Sequence, residues 1–205
     1  MGLAEVRWTG FVETTTDEGP KIWYCGKDSK HQYGVAFIVR KEVVGSIIRC
    51  TPISSRLISI QILARPHDIT VIQDYALTSD HEDEEVEYFY EQLDNIIAKT
   101  AMKDILVVQG DWHAKVGPDA YQHWAGTIGR FGIEETNNRG LRLLKFSKSH
   151  RRIFANTLHL HKLYRTATWY APNGQVHNQI DKAHTRPFPG ADIGSDHDLV
   201  LQPSS

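Results

Sequence analysis

Ile58, Ile60 and Ile62 alternate with Ser59 and Gln61, the period-two signature of a half-buried strand, and the pattern predicts a strand over 56–63. Asp68 to Tyr75 predicts another, with Ile69, Val71 and Gln73 on one face. Ile22 to Cys25 is a short aromatic strand, and Gly34 to Val39 is a nearly continuous apolar run. Val44 to Cys50 follows, with Thr51-Pro52 as the break before the strand at 56–63. The period then changes. Val86, Phe89, Tyr90, Leu93, Ile96 and Ile97 recur at three and four residues, which predicts an amphipathic helix over 84–99. The dense acids from Asp80 to Glu87 read as its solvated start, where carboxylates suit the helix dipole. Asp104 to Asp111 is a buried-type strand that ends at Gly-Asp. Asn137 to Gly140 reads as a breaker before a second helix, Leu141 to Ser149. Further strands are expected at 152–157, 166–170, 176–181 and 197–201. Strands outnumber helices, and strand–helix–strand occurs twice. The expectation is a mixed α/β layered domain, two sheets with helices outside, as a single domain over 1–205.

The 205 residues are 40% hydrophobic and 23% charged, which excludes wholesale disorder. A net charge of −2 excludes a strongly basic nucleic-acid glove but not a local basic patch. No apolar run approaches the roughly 20 residues of a membrane helix. Two cysteines, Cys25 and Cys50, make no disulfide framework and suggest an intracellular setting, nuclear or cytoplasmic. The 11 histidines make imidazole or metal chemistry worth seeking.

Three polar clusters sit at the ends of apolar strands. Gly110-Asp111-Trp112-His113 puts a carboxylate next to a glycine, either projecting into a cleft or closing an ordinary turn. Ser195-Asp196-His197-Asp198 suits metal binding or an imidazole acting on phosphate, and equally a polar strand start. Asn178-Gln179-Ile180-Asp181 sets a carboxylate on a strand, exposed or paired, with His197 as a natural partner. Alone, Glu5 reads as a surface residue and Tyr75 as a boundary aromatic. Together, Glu5, Tyr75, Asp111, His113, Asp181, Asp196 and His197 resemble a hard-cation site built from carboxylates with a histidine across the substrate. The chain has no P-loop and no Gly-x-Ser-x-Gly elbow, which disfavours a P-loop nucleotidase and a serine hydrolase.

On these residues the chain resembles the endonuclease/exonuclease/phosphatase superfamily, with its deoxyribonuclease I-like sandwich. Within it, the likeness is to the endonuclease domain of non-LTR retrotransposons and to craniofacial development protein 2-like proteins. The matching stretches run in the family's order: Glu5 to Gly10, Gly34 to Val39, Ser54 to Ile60, Val71 to Ser79, Asp104 to Gly117, Asn178 to Asp181 and Gly190 to His197. The resemblance implies a Mg²⁺- or Mn²⁺-dependent phosphodiesterase that nicks DNA, with no membrane partner and no small-molecule cofactor. It implies that Glu5 holds the metal, with Asp196 close to it, and that Tyr75 contacts the scissile phosphate. Asp111 then orients or deprotonates the attacking water, His197 bonds the phosphate oxygen, and Asp181 orients His197. Trp169 lines the groove near the flanking nucleotide.

Four departures from the family pattern stand out. The chain starts at the Glu motif, so the expected sandwich lacks its first strand. His113 stands where the family has Asn, and Leu77 where it has Pro. The segment 182–189 is short, so a late strand pair is missing and Asp181 and His197 are expected not to meet. An impaired remnant acting as a binding module, and a small-phosphoester phosphatase, are the competing expectations. Arg7, Lys115 and Arg139 are candidates for a DNA-binding face. The basic density over 139–165, Arg152 included, reads either as such a face or as a solvated helix.

Overall fold

The computed structural model describes residues 1–17, 19–132, 135–158, 169–170, 177–178 and 181–185. They fall in two compact units, Met1–Asp111 and the chain from Trp112 onward.

In the first unit, β1 (Gly2–Ala4), β2 (Phe11–Thr15), β3 (Lys21–Cys25) and β4 (Val35–Val39) form an antiparallel sheet in the order β1-β4-β3-β2. Its register sets Trp23 opposite Phe37 and Cys25 opposite Val35, and all four side chains are buried. The one-turn α1 (Lys41–Val44) leads to β5 (Ile47–Ser54), β6 (Leu57–Ile62) and β7 (Ile69–Tyr75), an antiparallel run. The helix α2 (Asp83–Lys99) then carries the chain back to β8 (Ile105–Asp111), which pairs parallel with β7. A parallel neighbour requires such a crossover.

The expected strand at Val44 is displaced. Val44 ends α1, and β5 begins at Ile47 because its partner β6 ends opposite, at Ile62. Thr51-Pro52 is no break either. Pro52 sits in β5 opposite Ile58, and β5 is an edge strand, where a missing N–H is tolerated. β1 and β2 were not legible: β1 has three residues, and β2 is exposed along its whole length, so neither shows alternation. α2 buries Val86, Phe89, Tyr90, Leu93 and Ile97 and begins with Asp83, Glu84 and Glu85, as the sequence predicts.

β1 lies against β7 and β8. The contact is close and polar. A Cβ on Gly2 would fall 1.9 Å from the Gln73 Oε1, and that oxygen accepts a 3.1 Å hydrogen bond from the Gln109 amide. Glycine lets β1 approach this amide pair without displacing either side chain. On the opposite sheet face, β5–β7 and α2 border an open cleft of about 270 Å³ whose lining mixes Arg49, Gln61, Gln92 and Lys99 with Ile53 and Ile96.

The second unit starts with buried Trp112, Ala114 and Val116. A 3-10 turn at Pro118–Ala120 runs into α3 (Tyr121–Trp124), and α4 (Asn138–Ser149) buries Leu143 and Leu144. The expected breaker is in fact the helix start. The Asn137 side chain caps α4 by accepting from the Gly140 N–H at 2.7 Å and from the Lys115 N–H at 3.1 Å. Gly140 belongs inside the helix because a Cβ there would meet the Lys115 carbonyl at 1.8 Å. The strand expected at 152–157 shrinks to β9 (Ile153–Phe154). The Thr157 hydroxyl bonds back to the Phe154 carbonyl at 2.9 Å and folds Ala155–Thr157 into a 3-10 turn. Arg152 is 1% exposed, so it belongs to no DNA-binding face.

The strand expected at 176–181 divides between two partners. β10 (Trp169–Tyr170) pairs antiparallel with β11 (His177–Asn178), and β12 (Asp181–Thr185) pairs antiparallel with β9. Asp181 therefore opens a strand rather than closing one, and the short segment after it is itself strand as far as Thr185. The strand expected at 197–201 lies outside the described residues. Among the described residues no helix is long and apolar enough to cross a membrane.

Two predictions follow from this packing. A Cβ on Gly110 would fall 2.1 Å from the Asp74 carbonyl oxygen, a backbone atom with no flexible side chain to yield. Gly110→Ala should therefore cost about 1–3 kcal/mol in urea unfolding. The Cys25 thiol donates to the Ser54 carbonyl at 3.0 Å, and burial pushes both cysteine thiols up to about 12. Alkylation of the native protein at pH 8 should run about 10³-fold slower than in urea, measured by thiol titration.

Candidate active site

The parallel ladder between β7 and β8 ends with Tyr75 opposite Asp111. The knot is closed by backbone: the Ala76 N–H donates to the Asp111 carbonyl at 2.8 Å, and the Tyr75 N–H to the Arg56 carbonyl at 2.9 Å. Tyr75 is 8% exposed and Asp111 half-buried. Glu5 follows β1 directly, so the approach of β1 to β7 and β8 carries it toward the same strand ends.

The chain is strained here. Glu5, Arg7 and Tyr33 hold left-handed backbones, with φ of 57°, 54° and 63°. Two bonds fix the two segments to each other: the Arg7 N–H donates to the Tyr33 carbonyl at 2.8 Å, and the Val6 N–H to the Gly34 carbonyl at 3.2 Å. The Arg7 guanidinium also meets the Glu5 carboxylate at 2.5 Å. Both side chains are largely exposed, so water screens the pair and it adds little stability.

Burial raises the Tyr75 hydroxyl above its ordinary pKa, and the Glu5 and Asp111 charges raise it further, while Arg56 and Arg7 pull it down. The net shift is upward. At neutral pH Tyr75 is therefore a hydrogen-bond donor flanked by two carboxylates. Among the described residues no three His, Cys, Asp or Glu side chains converge as a metal cage. Glu5 and Asp111 are the hard-oxygen pair whose charges both reach Tyr75.

The other expected residues are placed as follows. His113 is half-buried with φ 46°, a left-handed conformation that Asn and His adopt more readily than most residues. Lys115 and Arg139 are half-buried, the latter in the first turn of α4. Trp169 lies on β10 and Asp181 opens β12. Asp196 and His197 lie outside the described residues.

Three residues around Tyr75 carried no assigned role in the sequence. The Tyr33 ring lies 6.1 Å from the Tyr75 ring and 6.4 Å from that of His81. Arg56 stacks on Tyr33 at 3.7 Å and reaches Tyr75 at 5.3 Å. Arg56 had one signal, its place in the Ser54-Ser55-Arg56 stretch; Tyr33 had none beyond preceding Gly34, and His81 was submerged in an acidic run.

The raised Tyr75 pKa has a stability consequence. Above pH 10 the unfolded chain gives up the tyrosine proton before the folded chain does, so this contribution is full below that pH and is lost as pH rises through the folded value. Tyr75→Phe should flatten the fall in urea midpoint on the alkaline side of pH 10.

Comparison with known proteins places this geometry. No family model matches the sequence. Craniofacial development protein 2 of Bos taurus is 40% identical over 214 aligned positions, covering 98% of this chain and 35% of that protein. The chain thus spans about a third of the length of the curated relative it matches. The endonuclease domain of TRAS1, a telomere-specific non-LTR retrotransposon, superposes with a TM-score of 0.56 at 15% identity, over 82% of this chain and 67% of that one. AP endonuclease LMAP from Leishmania major does so at 0.56 and 10% identity, over 90% of this chain and 68% of its own. The chain is thus similar in sequence to craniofacial development protein 2 and has the two-sheet α/β fold of the endonuclease/exonuclease/phosphatase proteins.

Proposed function

We propose that the chain is a divalent-metal-dependent phosphodiesterase that nicks DNA. The observation that carries this reading is the meeting of Tyr75 and Asp111 at the ends of two parallel strands, with the Glu5 charge acting on the same hydroxyl. Two proteins of similar fold are described as an endonuclease domain and an AP endonuclease, which supports DNA as the substrate.

Cleaving a phosphodiester requires charge to be neutralised on the phosphate oxygens and a water to be aligned with the leaving group. Tyr75, held protonated, donates a hydrogen bond to a non-bridging oxygen. Asp111 accepts from the attacking water and orients it. Glu5 and Asp196 would supply the hard carboxylate oxygens that Mg²⁺ or Mn²⁺ takes alongside substrate phosphate. The bound ion would supply positive charge against the phosphate. His197 would donate to the phosphate, and His113 would serve in place of the family's Asn. Arg7, which follows Glu5 closely, would contact the DNA backbone, and Lys115, Arg139 and Trp169 are the candidate DNA contacts of the second unit.

The Arg7–Glu5 ion pair favours a second reading, in which Arg7 occupies the metal-binding carboxylate and the domain binds nucleic acid without cutting it. Plasmid nicking in Mg²⁺ and in EDTA separates the two. Metal-dependent nicking is expected, lowered about 10²–10³-fold in Tyr75→Phe and in Asp111→Asn. A folded wild-type sample that binds plasmid without nicking it would instead establish the second reading. Turnover of a small phosphomonoester in place of plasmid would make the chain a phosphatase.

A further inference from the structure

Arg56 sits in the turn between β5 and β6, one residue before Leu57 opens β6. Its guanidinium is half-buried and reaches the Tyr75 backbone and the side chains beside it. Nη1 donates to the Tyr75 and Ala76 carbonyls, each at 3.1 Å. The plane of the group stacks 3.7 Å from the Tyr33 ring centroid and lies 5.3 Å from that of Tyr75. Nη2 contacts the His81 Nε2 at 3.1 Å. A guanidinium has no acceptor, so this nitrogen accepts, and the Nδ1 is left to face the Thr78 hydroxyl at 2.9 Å. The loop after β7 thus folds back over Arg56. Tyr33, Tyr75, His81 and Glu85 are the titratable groups around it.

These contacts fall where β7 runs out. The Tyr75 and Ala76 carbonyls lie at the end of the ladder, and Arg56 takes both with one nitrogen. Ala76 is in turn bonded to the Asp111 carbonyl, so Arg56 fixes the tyrosine relative to the aspartate. Tyr33 holds its strained backbone on the other side of the same guanidinium.

We propose that Arg56 is a positioning residue for Tyr75, clamping it between the Tyr33 ring and the end of β7 so that its hydroxyl meets the scissile phosphate. The proposal rests on the phosphodiesterase reading. Lysine cannot do the same work, because an ammonium neither stacks on a ring as a plane nor offers donors in a fixed fork. A displacement of about 1 Å at a reacting group costs roughly 10²-fold in rate. The cation also opposes the upward pull of the two carboxylates on the Tyr75 hydroxyl.

The test uses Arg56→Gln, Arg56→Lys and Tyr33→Leu, each read in two ways. The first is kcat and KM for plasmid nicking in Mg²⁺. The second is Tyr75 ionisation by ultraviolet absorbance, taken against the same variant carrying Tyr75→Phe, with no metal or DNA present. Arg56→Gln should lower kcat about 10²-fold while leaving KM nearly unchanged, and should move Tyr75 ionisation to higher pH. Arg56→Lys should not restore kcat. Tyr33→Leu keeps the guanidinium and covers the case in which Arg56→Gln fails to fold; it should lower kcat about 10-fold. Wild-type kcat in Arg56→Lys or in Tyr33→Leu, or unmoved Tyr75 ionisation in Arg56→Gln, would overturn the proposal. If the wild type itself does not nick, the phosphodiesterase reading falls, and the coupling of Arg56 to Tyr75 is decided by the ionisation alone.

Discussion

Parallel pairing of β7 with β8 stops at one rung, with Tyr75 on one strand and Asp111 on the other, and the candidate site is built outward from that rung. Two strands can end side by side in the same direction only if the chain returns to the starting edge, which is what α2 does. Its buried stripe is therefore a condition for the site as much as a piece of core. The last residues of β8 are constrained as tightly. Gly110 admits the Asp74 backbone, and the carboxylate of the next residue comes out at the strand end.

The first sheet brings the remaining charge by an unusual contact. Its leading strand rests on paired glutamine amides instead of on hydrocarbon, and a glycine makes the approach possible. Glu5 follows immediately and turns away in a left-handed backbone. The strain at Glu5, Arg7 and Tyr33 falls on two segments that the backbone bonds of Val6 and Arg7 hold to each other.

The core of this arrangement was legible in the pattern of side chains. Alternation in β6 and β7 and the helical period of α2 are properties of buried faces, and they survive in the sequence because burial selects them. Elements without a buried stripe were not legible: β1 is too short, β2 is exposed, and β9 is two residues stabilised by its partner. Asn137-Asn138-Arg139-Gly140 was misread because the same residues that end helices also cap them, and only the Lys115 backbone against Gly140 shows which occurs. At the site, strand-end position alone left Tyr75 a boundary aromatic and Asp111 a turn residue, and it took the family resemblance to single them out. Arg56 and Tyr33 were not singled out, because what matters about them is a stacking contact between residues far apart in the chain, and no local spacing encodes that.

The outermost strand of the first sheet has one side with no strand against it among the described residues. Every residue of β2 is exposed, and Phe11 and Val12 stand 47% and 38% open to solvent. A free row of amide and carbonyl groups is a template on which another extended chain can grow. Glu13, ion-paired to Lys21 across the ladder, and the two threonines after it keep that row hydrated. Glu13 is the one charge on this strand, and neutralising it would leave Phe11 and Val12 beside a margin open to self-association by strand addition.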